Sequence, residues 1–228
     1  MFTSNPLEGE RRGGTVGFPL PGTAVRVVGE GDVPQPVGGI GHIQVRGDNV
    51  FAGYWGLPEK TREEFTADGF FRTGDAGFFE ENGELRITER IKDLMKTSGG
   101  KYIAPQLIES TVGADHFIEQ IAVIGDQRKY VSALIVPSFE ALVEYAKERG
   151  ITHSTREELI TKAEIVELYR KRIAECSKEF AEFEKIKRFT LLAKEFTVED
   201  GEITPTMKIK RKSVAEIYKP MIDRMYAE

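Results

Sequence analysis

Hydrophobic residues in this chain recur with two different periods, and the change of period divides it. Up to about residue 88 the apolar stretches are short, alternating roughly over 23–28 and cleanly over 42–46, with Gly and Pro clusters before and between them. Alternation puts successive side chains on opposite faces of an extended backbone, so these stretches predict half-buried strands. A short helix is predicted around 58–65, a turn at 80–84 and a further strand at 84–88. Residues 1–15 are polar and glycine-rich and read as a loose lead-in. Short strands joined by Gly-rich turns predict a small β-rich subdomain.

Beyond the charged cluster at 90–93, which has no place in a core, the pattern changes. Two apolar runs, 118–124 and 130–136, flank Gly-Asp-Gln-Arg-Lys and predict a hairpin. Residues 101–103 and 189–192 read as further short strands, and Pro105 suits the first turn of a helix reaching Val112. Between them lies a helical block. Ser138 is placed to cap a helix over 139–149 with Gly150 as its stop, and Ser154 and Glu157 have the spacing of a capping box. Val166, Tyr169, Ile173, Cys176, Phe180 and Phe183 fall at steps of three and four, which predicts one buried helical face and makes Cys176 a core residue. A last helix over 212–226 carries Val214, Ile217, Met221 and Met225 on one stripe, and Pro220 should kink or split it. The fold class expected is α+β, a small β-rich part followed by an α+β domain with a helical insertion, divided at 89/90.

Composition narrows the function. The 228 residues are 40% hydrophobic and 30% charged, ordinary for a globular protein, and a net charge of −5 argues against a general nucleic-acid binder. The single cysteine excludes an intramolecular disulfide, no apolar run approaches the ~20 residues of a membrane span, and the first residues do not resemble a signal peptide, so a cytoplasmic location is expected.

The chemistry is concentrated in residues 69–109, GFFRTGDAGFFEENGELRITERIKDLMKTSGGKYIAPQLIE. Asp75, at the end of an Arg-Thr-Gly-Asp turn, either caps its own turn or accepts both hydroxyls of a ribose. Arg90 offers five fixed donors to a ribose oxygen or a phosphate, or is simply a solvated charge. Ser98-Gly99-Gly100 is either a plain turn or a place where backbone approaches a ligand closely. A second cluster, GEITPTMKIKRKS over 201–213, crowds Lys208, Lys210, Arg211 and Lys212 before the last helix; such a run is a solvated basic face or a set of phosphate-reaching cations.

The order Arg-Thr-Gly-Asp, Arg-x-Lys-Asp-x-x-Lys, Gly-Gly and Ile-Ala-Pro-x-x-Ile-Glu resembles the AMP-forming acyl-CoA synthetases of the adenylate-forming superfamily, from about Gly14 onward, and is most similar to the long-chain fatty acid:CoA ligases. That resemblance implies that Asp75 and Arg90 bind the AMP ribose and that Lys92 is a hinge between a large N-terminal domain and a small mobile one. It implies that Gly99 lines the tunnel for the CoA pantetheine arm and that Lys96 enters the site in the same thioester-forming state. Lys208 falls on the adenylation lysine, with Lys210 as runner-up because Met207 stands where many relatives have Gly; many also have Gly where Glu89 stands. ATP, CoA and Mg²⁺ are the implied cofactors, with no metal ligand assignable, and a fatty acid is the implied substrate. No Gly/Ser/Thr-rich phosphate loop occurs in the sequence, so residues 1–89 are expected to be the end of a larger adenylation domain whose remainder is the chain's partner. Membrane-surface association stays open. Alternative readings are an aryl or carrier-protein adenylating ligase, or a non-catalytic module that binds a nucleotide or a partner protein.

Overall fold

The computed structural model describes residues 1–227. Two compact units emerge, Met1–Leu94 and a second from Met95 onward. In the first, strands β1 (Thr3–Ser4) and β2 (Phe18–Pro19) form a two-stranded ribbon. Strands β3 (Ala24–Val28), β4 (Gly41–Arg46), β5 (Phe71–Phe79) and β6 (Leu85–Arg90) follow as an antiparallel sheet in chain order, with helix α1 (Pro58–Glu64) between β4 and β5. The expected loose lead-in is therefore partly ordered: Thr3 and Ser4 pair with Pro19 and Phe18, and the Val16 N–H donates to the Leu85 carbonyl. Val27, Ile43, Val45 and Leu85 form the core of this sheet.

A second layer of order lies in polar side chains aligned across the sheet. Arg26, Gln44 and Arg72 stand opposite one another on β3, β4 and β5. Arg26 Nε donates to Gln44 Oε1 at 2.8 Å, and Gln44 Nε2 donates to Asp32 Oδ1 at 2.6 Å. Arg72 grips the Asp32 carboxylate with two bonds of 2.8 and 2.9 Å, while Arg26 does the same to Asp68 at 2.7 and 3.1 Å. The bidentate Arg72 contact holds the Asp32 carboxyl at about 2, below its ordinary 3.8. A depressed carboxyl stabilises the fold above its unfolded value and stops doing so as pH falls through the folded one. Asp32→Asn is therefore expected to lower stability at pH 6 by about 1 kcal/mol, the shift being discounted because the pair is partly solvated. Urea unfolding midpoints of variant and parent should converge between pH 4 and pH 2; a gap that persists at pH 2 would count against this contact.

In the second unit, β7 (Met95–Lys96) and β8 (Tyr102–Ile103) form a small hairpin that leads into α2 (Pro105–Val112). The central sheet has the order β11 (Ile186–Leu191), β10 (Val131–Pro137), β9 (Ile118–Ile124), with β9–β10 the expected antiparallel hairpin and β11 parallel to β10. A parallel pair needs a crossover. The helical block supplies it as α3 (Phe139–Glu148), α4 (Arg156–Thr161) and α5 (Ala163–Cys176). Every residue of β10 is buried, which explains its largely apolar run; its polar Ser132 meets the Tyr226 hydroxyl at 2.8 Å.

Several local details differ from the sequence pattern. Ser138 precedes α3 but its hydroxyl makes no capping bond. The capping pair at α4 sits one residue later than expected: Thr155 Oγ1 accepts the Glu158 N–H at 3.1 Å, and the Glu158 carboxylate accepts the Ser154 N–H at 2.8 Å. Helix α5 stops at Cys176, because the chain turns there and the Ala181 N–H binds the Glu184 carboxylate. Phe180 and Phe183 therefore lie beyond it, and only Phe180 packs on the core. Cys176 is half-buried beside Asp115, and burial pushes its thiol up, so it is no activated nucleophile. The last helix is split into α6 (Arg211–Ile217) and α7 (Lys219–Tyr226), with Pro220 in the first turn of α7, where its missing N–H costs nothing. The break resets the helical phase, so Val214, Ile222 and Met225 are buried while Ile217 and Met221 are exposed.

Candidate functional site

Asp75 is not in a turn. Arg72 to Asp75 lie within β5, bent where Gly74 takes φ +75° and where the register with β6 slips between Ala76 and Gly77. A bend of this kind re-aims one side chain while keeping the strand paired. Arg90 ends β6 directly opposite Asp75, and its Nη1 lies 3.1 Å from Asp75 Oδ1. The Asp75 N–H donates to Thr73 Oγ1 at 3.1 Å, and that hydroxyl donates to the Ile43 carbonyl at 2.9 Å. Asp75 is thus held from both sides, with 24% of its side chain exposed, and Arg90 extends into solvent at 62%. The pair presents an acceptor and a donor fork side by side, the complement of vicinal hydroxyls. Glu89 is buried and pairs across the sheet with Ala76.

Lys92 is exposed in a single 3₁₀ turn, Ile91–Asp93, closed by the Leu94 N–H on the Ile91 carbonyl at 3.1 Å. The second unit begins at Met95. On the β7–β8 hairpin, the Lys96 N–H donates to Asp126 Oδ1 at 3.1 Å and its ammonium lies 5.8 Å from the Tyr102 ring centroid. The connecting loop is pinned by the Ser98 N–H on the Arg128 carbonyl and the Gly100 N–H on the Thr97 carbonyl, both at 2.9 Å.

Its two glycines are not equivalent. Gly100 has φ +77°, a conformation that side chains resist, whereas a Cβ at Gly99 would meet only Thr97 Oγ1 at 3.9 Å and its φ is ordinary. The turn explains Gly100 and leaves Gly99 unexplained. Gly100→Ala is expected to cost about 1 kcal/mol, while Gly99→Ala should leave the urea midpoint where it was; a loss at Gly99 equal to that at Gly100 would assign both to the turn.

Lys208 sits on a third hairpin-like loop. Ile203 and Ile209 form a bridge, the Thr204 N–H donates to the Lys208 carbonyl at 2.8 Å, and the Lys208 N–H donates to Thr204 Oγ1 at 3.0 Å. Met207 precedes it with φ +61°, a left-handed conformation costly for a side chain other than glycine. The Lys208 ammonium is exposed and makes no ion pair among the described residues. Lys210 is also exposed and stands at the residue before α6, where its side chain makes no capping bond.

Both legs of this loop are anchored. Glu202, 2% exposed, accepts the Thr197 N–H at 2.8 Å and the Tyr218 hydroxyl at 2.6 Å, and its carbonyl accepts the Lys210 N–H at 2.8 Å. Burial first, then the hydrogen bond to Glu202, pushes the Tyr218 phenol up. Arg211 Nη2 donates to Glu109 Oε2 at 2.5 Å, and Glu109 Oε1 accepts the Val123 N–H at 2.9 Å. Burial pushes the Glu109 carboxyl up, and the Arg211 charge opposes it.

The structure thus brings Asp75 and Arg90 together in the first unit and puts Lys96 and Gly99 on one hairpin of the second, with Lys208 on another. Arg72 of the same motif is a structural partner of Asp32. The roles of Asp32, Glu109, Glu202 and Tyr218 are absent from the sequence pattern, because each partner lies 16 to 102 residues away or, for Asp32 and Arg72, 40. Among the described residues no three His, Cys, Asp or Glu side chains gather that could hold a metal.

Comparison with known proteins matches residues 92–228 to the AMP-binding enzyme C-terminal domain and residues 1–55 to the AMP-binding enzyme family. The chain is 36% identical over 214 residues to long-chain-fatty-acid–CoA ligase FadD15 of Mycobacterium tuberculosis, covering 93% of this chain and 34% of that protein. Among solved structures it is similar to apo MatB from Rhodopseudomonas palustris, with TM-score 0.64, 33% identity and coverage of 97% of this chain and 39% of the other. ATP-bound MatB matches at TM-score 0.58, 32% identity and coverage of 97% and 39%. The chain spans about a third of the length of the curated relatives it matches. The mixed fold, the ordered motifs and a family pattern over the larger part of its length agree: the chain belongs to the adenylate-forming AMP-binding enzymes, with the C-terminal domain of that family from residue 92.

Proposed function

We propose that this chain is the C-terminal part of an AMP-forming long-chain fatty acid:CoA ligase. The observation that carries the substrate class is the 36% identity to a long-chain-fatty-acid–CoA ligase across 93% of the chain. In the first half-reaction a fatty-acid carboxylate oxygen attacks the α-phosphorus of ATP, and the bond to pyrophosphate breaks to leave acyl-AMP. In the second the CoA thiol loses its proton and attacks the acyl carbon, the bond to AMP breaks, and acyl-CoA is released. Two easier displacements replace one hard one.

In this reading the Asp75 carboxylate accepts both ribose hydroxyls and Arg90 donates beside it. The cross-strand contact that already pairs them supports this, since it preorganises acceptor and donor before the nucleotide arrives. Lys208 stabilises charge that builds on the carboxylate and α-phosphate during adenylation. The left-handed Met207 favours Lys208 over Lys210, because a position where relatives carry Gly is one whose backbone wants positive φ, and the lysine after it is then Lys208. Gly99 and Lys96 serve the thioester step; a glycine that its own turn does not require fits a wall against which a pantetheine arm must slide. Mg²⁺ would come bound to the ATP phosphates.

The test is the complete enzyme supplied with ATP, Mg²⁺, CoA and either palmitate or benzoate. Palmitate is expected to yield acyl-CoA and benzoate none; the reverse preference would place the chain in an aryl branch. The 228-residue chain alone, which has no phosphate loop, is expected to make no palmitoyl-CoA.

A further inference from the structure

We propose that the Glu109–Arg211 ion pair and the Tyr218–Glu202 hydrogen bond form a two-point clamp that positions Lys208, with Arg211 as the positioning residue. The inference rests on the reading of Lys208 as the adenylation lysine and adds what makes it effective. A lysine has four rotatable carbons and no fixed fork, so its aim depends on the backbone that carries it. Here that backbone is only eight residues long between its anchors, Glu202 and Arg211, and it is closed by the bridge at Ile203 and Ile209 and by the hydrogen bonds between Thr204 and Lys208.

Each anchor ties the loop to a different element. Glu202 fixes the first leg to Tyr218, at the junction of α6 and α7. Arg211 fixes the second leg to Glu109 on α2, and Glu109 in turn accepts an N–H of β9. Helix α2 starts two residues after the β7–β8 hairpin, so the loop of Gly99 and the loop of Lys208 are tethered to the same helix, one by the chain and one by the ion pair. Both polar anchors are largely buried, with Glu109 and Arg211 side chains 13% and 20% exposed. Arg211 Nε is buried without a hydrogen-bond partner, so the guanidinium is held chiefly through its Nη2 contact to Glu109. Removing the Glu109 charge should free it.

Glu109→Gln keeps the shape and the acceptor for Val123 while removing the charge. In the complete enzyme it is expected to slow acyl-AMP formation about tenfold, less than the 10²-fold that a full 1 Å misplacement costs, and to leave conversion of supplied acyl-AMP to acyl-CoA unchanged. In the chain itself, amide hydrogen exchange at Met207, Lys208 and Lys210 should quicken while β10 stays protected. If Glu109→Gln also loses protection in β10, Tyr218→Phe, which removes one hydroxyl, takes its place with the same two expectations. Equal losses in both half-reactions, or an unchanged exchange rate in the loop, would overturn the clamp. Lys208→Ala is measured alongside. If it is selective for adenylation while the clamp variants are not, only the clamp fails; if it is not selective, the reading of Lys208 fails and takes the clamp with it.

Discussion

Lys208→Ala in the complete enzyme is expected to lower acyl-AMP formation by about 10²-fold or more, the loss typical of removing one preorganised donor from a developing negative charge. Conversion of supplied acyl-AMP to acyl-CoA should survive nearly intact, because the lysine is assigned to the first step only. The structure sharpens this expectation. Lys208 makes no ion pair among the described residues, so its removal leaves no partner stranded and its effect should be chemical, not structural. Lys210→Ala is the control. Its backbone N–H, which the substitution keeps, is what joins it to Glu202, so both half-reactions should be unaffected. Pyrophosphate release and acyl-CoA formation, followed separately, read the two steps. A selective defect at Lys210 would move the alignment by two residues, and no defect at either would remove this loop from the adenylation chemistry.

The sequence was informative wherever the physics is local. The largely apolar run that became Val131–Pro137 is a direct consequence of two-faced burial, whereas the alternation over 42–46 located a strand whose polar Gln44 is buried as well. Pro105 and Pro220 both stand in the first turn of a helix, the position at which proline is tolerated. What escaped was set by partners distant in the chain. Asp75 looked like a turn residue because Arg-Thr-Gly-Asp has turn composition, yet its pairing with Arg90 on β6, next to that of Ala76 with Glu89, keeps it in a strand. The stripe through Ile217 and Met221 failed because a periodicity counted across Pro220 assumes one helix where there are two. The same limit applies to the site. Motif order pointed to Asp75, Arg90 and Lys208 one by one, whereas the Glu109–Arg211 contact spans 102 residues and left no periodic trace.

Lys92→Pro in the complete enzyme is expected to slow the thioester step by about 10²-fold, the penalty for holding reacting groups roughly 1 Å out of place. The first half-reaction should change little. The reasoning is about backbone, not charge. Lys92 is the middle residue of a three-residue 3₁₀ turn with its side chain in solvent, and the compact second unit starts at Met95. A hinge is a short stretch that absorbs a change of φ and ψ. Proline would fix φ at residue 92 and also push Ile91 out of the helical region it now occupies, so two of the three turn residues would lose their freedom. Lys92→Ala separates this from any role of the ammonium, since alanine keeps the backbone mobile and should leave both half-reactions near the parent rate. Equal losses in the two steps for Lys92→Pro would argue for a general distortion of the turn. A thioester defect in Lys92→Ala as large as in Lys92→Pro would make the side chain the functional group and exclude a backbone hinge at this residue.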